Sequence, residues 1–254
     1  MKRKFVRKKK LFPVFIALFI SLLSAYLLQQ YLSSHKKRIY YQDFGISIPN
    51  GFDIHGIDVS RYQRDIDWEA VASMKHKGIS FSFAVAKATE GLSLKDPYFK
   101  KNWREMGKTN LTRGAYLFFH PRKSGKEQAY FFIKHVSLNS GDLAPVIDIE
   151  NTNKKNKKQI QASLKECIDV LQHHYGIKPI IYTGADFYTQ YLLGEFDAYP
   201  LWVAHYNNAK EPNINHTWMI WQHNEKGRVN GIIGNVDFNV LKGNKNSLKK
   251  LCIP

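Results

Sequence analysis

The stretch Ala144-Pro145-Val146-Ile147-Asp148-Ile149-Glu150 decides the fold. A short apolar run that ends in two acids reads as a buried strand whose far end turns polar. Side chains at i and i+2 of a strand share a face, so Asp148 and Glu150 project together, roughly 6–7 Å apart at Cβ, with Ile149 on the opposite face. Similar runs lie on both sides: Ile54–Val59, Ile79–Ala86, Arg113–Phe119, Pro179–Thr183, Leu201–His205, Trp218–Gln222 and a weaker one at Gly234–Phe238. Between them the spacing predicts helices at about 67–77, 97–109, 124–138, 156–175 and 185–193. Strand–helix alternation argues for a mainly parallel sheet, and the helices shrink towards the C-terminus. The expected fold is therefore α/β: a single irregular, flattened (β/α) barrel. No internal repeat is apparent.

Barrels of this kind do their chemistry at the C-terminal ends of the strands. The polar residues there are Asp58, Lys87, Glu90, His120, Asp148, Glu150, Tyr182, His205, Tyr206, Gln222 and Asp237. Two acids as close as Asp148 and Glu150 raise each other's proton affinity, so one stays protonated near neutral pH. Glycosidic cleavage needs that pairing: an acid for the leaving oxygen, and a negative group beside the developing cation. Two other readings of the pair are a solvated strand end and a divalent-cation site. The surrounding aromatics (Tyr116, Phe118, Phe119, Tyr182, Trp202, Tyr206, Trp218, Trp221) favour a sugar, because ring faces stack on pyranoses. Among them Tyr182, Trp202 and Tyr206 are the candidates for a cleft, and the others read as packing.

Residues 1–10, MKRKFVRKKK, form a basic segment expected on the cytoplasmic side. Leu11–Leu28 then runs 18 residues without a charge. At about 1.5 Å per residue it covers most of a hydrocarbon core, so residues 11–32 are expected to be a transmembrane anchor. A cleaved signal peptide is the rival, but the apolar stretch is long for one, no small-x-small site is obvious, and no cysteine follows for lipid attachment. Residues 33–52 read as a linker, and residues 53–254 as the barrel domain, placed outside the cytoplasm and expected to work as a monomer. Of the formal charge of +17, residues 1–40 contribute +10 with no acid, leaving +7 for residues 41–254. That excess suits a solvated surface or an anionic wall polymer; no nucleic-acid motif accompanies it. The Lys154–Lys158 run looks like an exposed loop or helix start. Cys167 and Cys252 have no metal-site spacing, and whether they pair is open.

In order along the chain, these residues resemble glycoside hydrolase family 25, the lysozymes of the N,O-diacetylmuramidase type. The resemblance runs from Gly56 to about Leu241. It is carried by Gly56-Ile-Asp58-Val-Ser60-x-x-Gln63 with Ile66-Asp67-Trp68, by Phe83-Ala-Val-Ala-Lys87-Ala-Thr-Glu90-Gly91, and by Asp96-x-x-Phe99-x-x-Asn102 with Gly114-Ala-Tyr116-x-Phe118. Pro145-Val-Ile-Asp148-Ile-Glu150, Ile181-Tyr182-Thr183, Leu201-Trp202-Val-Ala204-x-Tyr206, Trp221-Gln222 and Gly234-x-Val-Asp237-x-Asn239 continue it. Each piece is weak alone, and the ordered set is specific. The resemblance implies hydrolysis of the β-1,4 bond between N-acetylmuramic acid and N-acetylglucosamine in peptidoglycan, with no cofactor and no metal. It makes Glu150 the general acid, Asp148 its partner (steering the 2-acetamido group or stabilising positive charge), and Asp58 and Asp237 the other two catalytic acids. Glu90, Tyr116, Tyr182, Trp202, Tyr206 and Gln222 would contact the glycan strand. Leu117 and His223 depart from the family pattern, which often has His and Tyr there. A non-catalytic peptidoglycan-binding protein on the same fold is the alternative, against which the four intact acids argue.

Overall fold

The computed structural model describes residues 11–34, 38–206 and 211–254. The basic segment 1–10 lies outside them. The chain divides into two compact units, residues 1–37 and 38–254.

The first unit contains helix α1 (Leu11–Ser34). Among the described residues no helix is long and apolar enough to cross a membrane, so the expected transmembrane span at 11–32 is not borne out. Side chains are described at positions 14–29. Val14, Phe15, Ile16, Phe19, Leu22 and Leu27 are all exposed there, so the helix is apolar on every side.

The second unit opens with a hairpin, β1 (Arg38–Tyr41) paired to β2 (Ile46–Pro49). Barrel strands and short edge pieces follow: β3 (Ile54–Val59), β4 (Lys75–His76), β5 (Ile79–Glu90), β6 (Leu94–Lys95), β7 (Thr112–Phe118), β8 (Val146–Asp148), β9 (Ile180–Gly184), β10 (Leu201–Ala204), β11 (Ile220–Gly227) and β12 (Val236–Leu241). Helices α2 (Trp68–Ser73), α3 (Phe99–Met106), α4 (Gly125–His135) and α5 (Lys157–Tyr175) fall inside the segments expected to be helical. The segment 185–193 instead holds one α-turn and a π-turn at Tyr188–Leu192.

Eight strands close a ring in the order β3-β12-β11-β10-β9-β8-β7-β5, and β5 pairs back onto β3. All neighbours are parallel except β12, which runs antiparallel to both β11 and β3. The irregular final third is thus real: it consists of one reversed strand and bulges in β11.

Period-two alternation divides the core into two layers. Ile54, Phe83, Val85, Val146, Ile180, Trp202, Ile220 and Leu241 fill the barrel interior. Ile57, Ala84, Ala86, Leu117, Ile147, Ile149, Val203 and Trp221 face the outer elements. Gly56 belongs to the inner row, and a methyl group there would meet the Phe83 ring at 2.4 Å. The missing side chain is what lets that ring cross the interior.

Residues 33–52 were expected as a linker, but from Arg38 onward they are structured. Phe44, Ile46 and Ile48 are buried in the outer layer. Phe44 packs edge-on against Phe81 and Phe238 at ring distances of 6.0 and 5.4 Å. Its carbonyl accepts from the Arg228 amide at 2.9 Å. The hairpin covers the outer faces of strands that have lost their helices, an apolar demand that a composition-based reading of the segment does not register.

Leu117 and His223, the two departures from the family pattern, are both fully buried on this outer layer. His223 Nδ1 takes a hydrogen bond from Arg38 Nη2 of the hairpin at 3.0 Å. Neither residue lines the cleft described below. Cys167 and Cys252 are free thiols.

Gly56→Ala should lower stability by about 1–3 kcal/mol, the usual cost of overpacking a dense core. Phe83→Leu in the same chain should recover part of that loss in thermal melts. Equal melting temperatures for wild type and Gly56→Ala would contradict the packing account.

Candidate active site

The inward rows of the barrel change from apolar to charged along each strand. In β3 the row is Ile54, Gly56, Asp58; in β5 it is Phe83, Val85, Lys87; from β8 it runs Val146, Asp148, Glu150. In β12 it is Leu241, Asn239, Asp237 read backwards. Because β12 is reversed, its first residues lie at the end of the barrel where the parallel strands finish. Asp237 therefore pairs in register with Asp58.

These tips surround one cleft of about 480 Å³. Its lining includes all ten residues singled out from sequence: Asp58, Glu90, Tyr116, Asp148, Glu150, Tyr182, Trp202, Tyr206, Gln222 and Asp237. It adds Ser60, Arg61, Tyr62, Lys87, Phe118, Val146 and Glu225. His120 sits behind Glu90, with Nε2 3.3 Å from Glu90 Oε1. His205 is outside the lining, and its carbonyl accepts from the Trp221 indole at 2.8 Å.

Two amides hold Asp58. Gln222 Nε2 and Asn239 Nδ2 both donate to Asp58 Oδ2, at 2.9 and 2.7 Å. Each amide is oriented by its own oxygen. Gln222 Oε1 accepts the Tyr182 hydroxyl at 2.8 Å and the Tyr206 hydroxyl as well. Asn239 Oδ1 accepts the Trp202 indole N–H at 2.9 Å. The aromatics thus act through polar tips that aim amide donors at a buried acid. Trp202 is 1% exposed, so it forms floor and offers no open stacking face. Tyr206, at 44%, and Tyr62, at 75%, do offer one.

The acids are proton-rich. Burial pushes the Asp58 carboxyl up to about 6, against the pull of its amide donors. Burial and the adjacent Asp58 push the Asp237 carboxyl up to about 9. Asp148 is raised well above the carboxylate range by burial and by the charge of Glu150. One of its oxygens, Oδ1, is buried with no hydrogen-bond partner. Glu150 reaches the mouth of the cleft; burial against the wall raises its carboxyl, while the Tyr182 hydroxyl and the Lys87 ammonium pull it back. An acid kept protonated beside one that can ionise is the pattern of acid/base catalysis.

Lys87 is the half-buried cation of this group. Its Nζ donates to Glu90 Oε2 at 2.7 Å and lies 4.7 Å from the Phe118 ring centre. Burial raises Glu90, but the Lys87 pair and His120 outweigh it and hold the carboxyl below its usual value. No group of His, Cys, Asp and Glu among the described residues has metal-site geometry.

Sequence reasoning passed over four residues of the site. Lys87 stands two positions beyond Val85 on an inward row, a legible signal that was read only as a strand-end charge. Asn239 likewise stands two positions from Asp237. Tyr62 rides on a 3₁₀ turn capped by Ser60 and Gln63, a recognisable S-x-x-Q box. Glu225 arrives through the bulges of β11, for which the sequence carries no signal.

The sequence profile of "Glycosyl hydrolases family 25" matches residues 57–232. The Escherichia coli (strain K12) protein YegX is 44% identical over 208 residues, covering 82% of this chain and 76% of that one. Lysozyme M1 of Streptomyces globisporus is 33% identical over 206 residues, covering 75% of this chain and 68% of that one. Among solved structures, a family 25 glycosyl hydrolase from Bacillus anthracis superposes with a TM-score of 0.73 at 29% identity, covering 86% of this chain and 98% of that one. A bacterial lysozyme from Streptomyces coelicolor gives 0.69 at 31%, covering 78% and 96%.

Replacing Lys87 by Met removes the cation that favours ionised Asp148 and Glu150, so both carboxyls should titrate at higher pH. Carbon-detected NMR titration of the side-chain carboxyls reads this directly. Unchanged midpoints would show that Lys87 serves Glu90 alone.

Proposed function

The chain belongs to glycosyl hydrolases family 25, and from that premise we propose that its cleft is a muramidase site. The protein is a glycoside hydrolase acting on peptidoglycan. The bond cut is the β-1,4 link between N-acetylmuramic acid and N-acetylglucosamine. The observation that carries this reading is the convergence of Asp58, Asp148, Glu150 and Asp237 in one cleft, with their protons unequally shared.

In this reading Glu150 protonates the leaving oxygen, since it stands at the mouth with its carboxyl raised towards neutrality. Asp148 receives the 2-acetamido N–H of the bound sugar and, once ionised, opposes positive charge at the anomeric carbon. Asp58, fixed by Gln222 and Asn239 and fed a hydrogen bond by Asp237, holds a buried negative centre on the far wall. Glu90, Tyr116, Tyr182, Tyr206 and Gln222 shape the subsites. A water then completes hydrolysis, with Glu150 as base.

We assign residues 1–37 to attachment and residues 38–254 to catalysis. The catalytic domain works outside the cytoplasm. Membrane association is supported by the all-round exposed apolar surface of α1 and by the lysine- and arginine-rich residues 1–10 that precede it.

Incubating the soluble domain (residues 38–254) with purified peptidoglycan should release new reducing ends, and Glu150→Gln should lower the rate by at least about 10²-fold with the fold intact by circular dichroism. Equal release by both proteins would defeat the hydrolase reading and favour a peptidoglycan-binding role. A second measurement concerns attachment: after cell fractionation the full chain should sediment with membranes, and a chain lacking residues 1–37 should not. Recovery of both in the soluble fraction would remove that assignment.

A further inference from the structure

The lining of the cleft carries six acids, Asp58, Glu90, Asp148, Glu150, Glu225 and Asp237, against two cations, Arg61 and Lys87. Asp148, Glu150 and Asp237 hold their protons more tightly than free carboxyls, so this floor offers an anionic polymer little attraction. Peptidoglycan is one, because the stem peptide on each muramic residue bears free carboxylates. Groups that hold its carboxylates must therefore stand outside the floor.

We propose that the loops leaving β7 and β8 form a basic rim that holds the stem-peptide carboxylates of the muramic residue beside Asp148 and Glu150. This deepens the muramidase reading and rests on it. Both loops start at residues of the cleft: one follows Phe118, the other begins at Glu150. The first contains His120, Arg122 and Lys123 and no acid. The second continues into α5, and residues 151–165 hold Lys154, Lys155, Lys157, Lys158 and Lys165 and no acid. Arg122, Lys123, Lys154, Lys157 and Lys158 are exposed, and Lys155 is half-buried.

The geometry brings Lys123 to the mouth and joins the two loops. Lys123 Nζ lies over Gly91, where a methyl group would meet it at 2.6 Å, directly after the cleft residue Glu90. Glu90 itself is committed to Lys87, so it does not neutralise Lys123. The two loops are tied together by His120 Nδ1, 3.4 Å from Asn153 Oδ1, and by the Ser163 hydroxyl, which donates to the Lys123 carbonyl at 3.0 Å. Asn153 and Lys154 are consecutive non-glycine residues with φ of 49° and 64°. A left-handed pair of this kind costs energy, so the surrounding structure holds this turn in place. The N-termini of α4 and α5, capped by Ser124 and Asn156, add partial positive charge on the same loops. Glu127, in the first turn of α4, is exposed beside the first loop.

The rim asks for carboxylates on the peptide, so the substrate it fits is peptide-bearing peptidoglycan. The test uses two probes: purified native peptidoglycan, and the same material after its carboxylates are amidated with a carbodiimide and glycinamide. The wild type should cut native material faster, with an advantage that fades as salt rises through the screening range. The variant Arg122→Ser/Lys123→Ser/Lys154→Ser/Lys155→Ser should lose roughly tenfold on native peptidoglycan at low salt, while keeping the wild-type rate on the amidated form. Retention of that rate shows the variant is folded. Equal losses on both substrates, no loss on native peptidoglycan, or a wild-type preference for the amidated form would each overturn the proposal. Failure of the wild type to cut either substrate would instead overturn the muramidase reading beneath it.

Discussion

The seam between β12 and β3 is the constraint on which the rest of the molecule depends. Seven barrel strands run one way, and the ring closes only because β12 enters reversed between β11 and β3. That reversal sets the register that puts Asp237 opposite Asp58. Closure of the fold and assembly of the acid cluster are therefore one event. A one-residue slip in this ladder would turn Asp237 and Asn239 outward and remove both a proton donor and an amide from Asp58. The hairpin over β11 and β12 belongs to the same account, since it covers the outer face of the strands whose helices are missing.

The cleft concentrates acids at an energetic cost. Every carboxyl whose affinity for protons is raised in the folded state opposes folding as pH climbs above its unfolded value, and Asp58, Asp148, Glu150 and Asp237 all do so. The structure offsets this with oriented amides and one half-buried ammonium. Trp202 and Tyr182 illustrate the arrangement: their rings pack the floor while their polar tips aim Asn239 and Gln222 at Asp58. A site of this kind sacrifices some stability to keep a protonated acid beside an ionised one near neutrality.

Much of this was legible beforehand. The apolar runs gave the eight strands, since a barrel strand buried on both faces reads as a near-continuous hydrophobic stretch. The polar residue ending each run gave the cleft, since parallel strands all finish at one end. Residues 38–49 were misread because Arg38-Ile-Tyr-Tyr and Ile46-Ser-Ile-Pro are too short to stand out from a linker, and their burial depends on a distant surface. The apolar helix was legible as a helix from its long uncharged run.

The sequence by itself determined the order of strands and helices, which side chains share a face, and that Asp148 and Glu150 point the same way. Those are local properties, dictated by backbone periodicity over a few residues. Only the tertiary structure decided that Asp58 and Asp237, 179 positions apart, stand in register, that Lys87 is committed to Glu90, and that Leu117 and His223 stay out of the cleft. Those depend on ring closure, on strand direction and on burial, and burial sets proton affinities through the combined environment of all the strands.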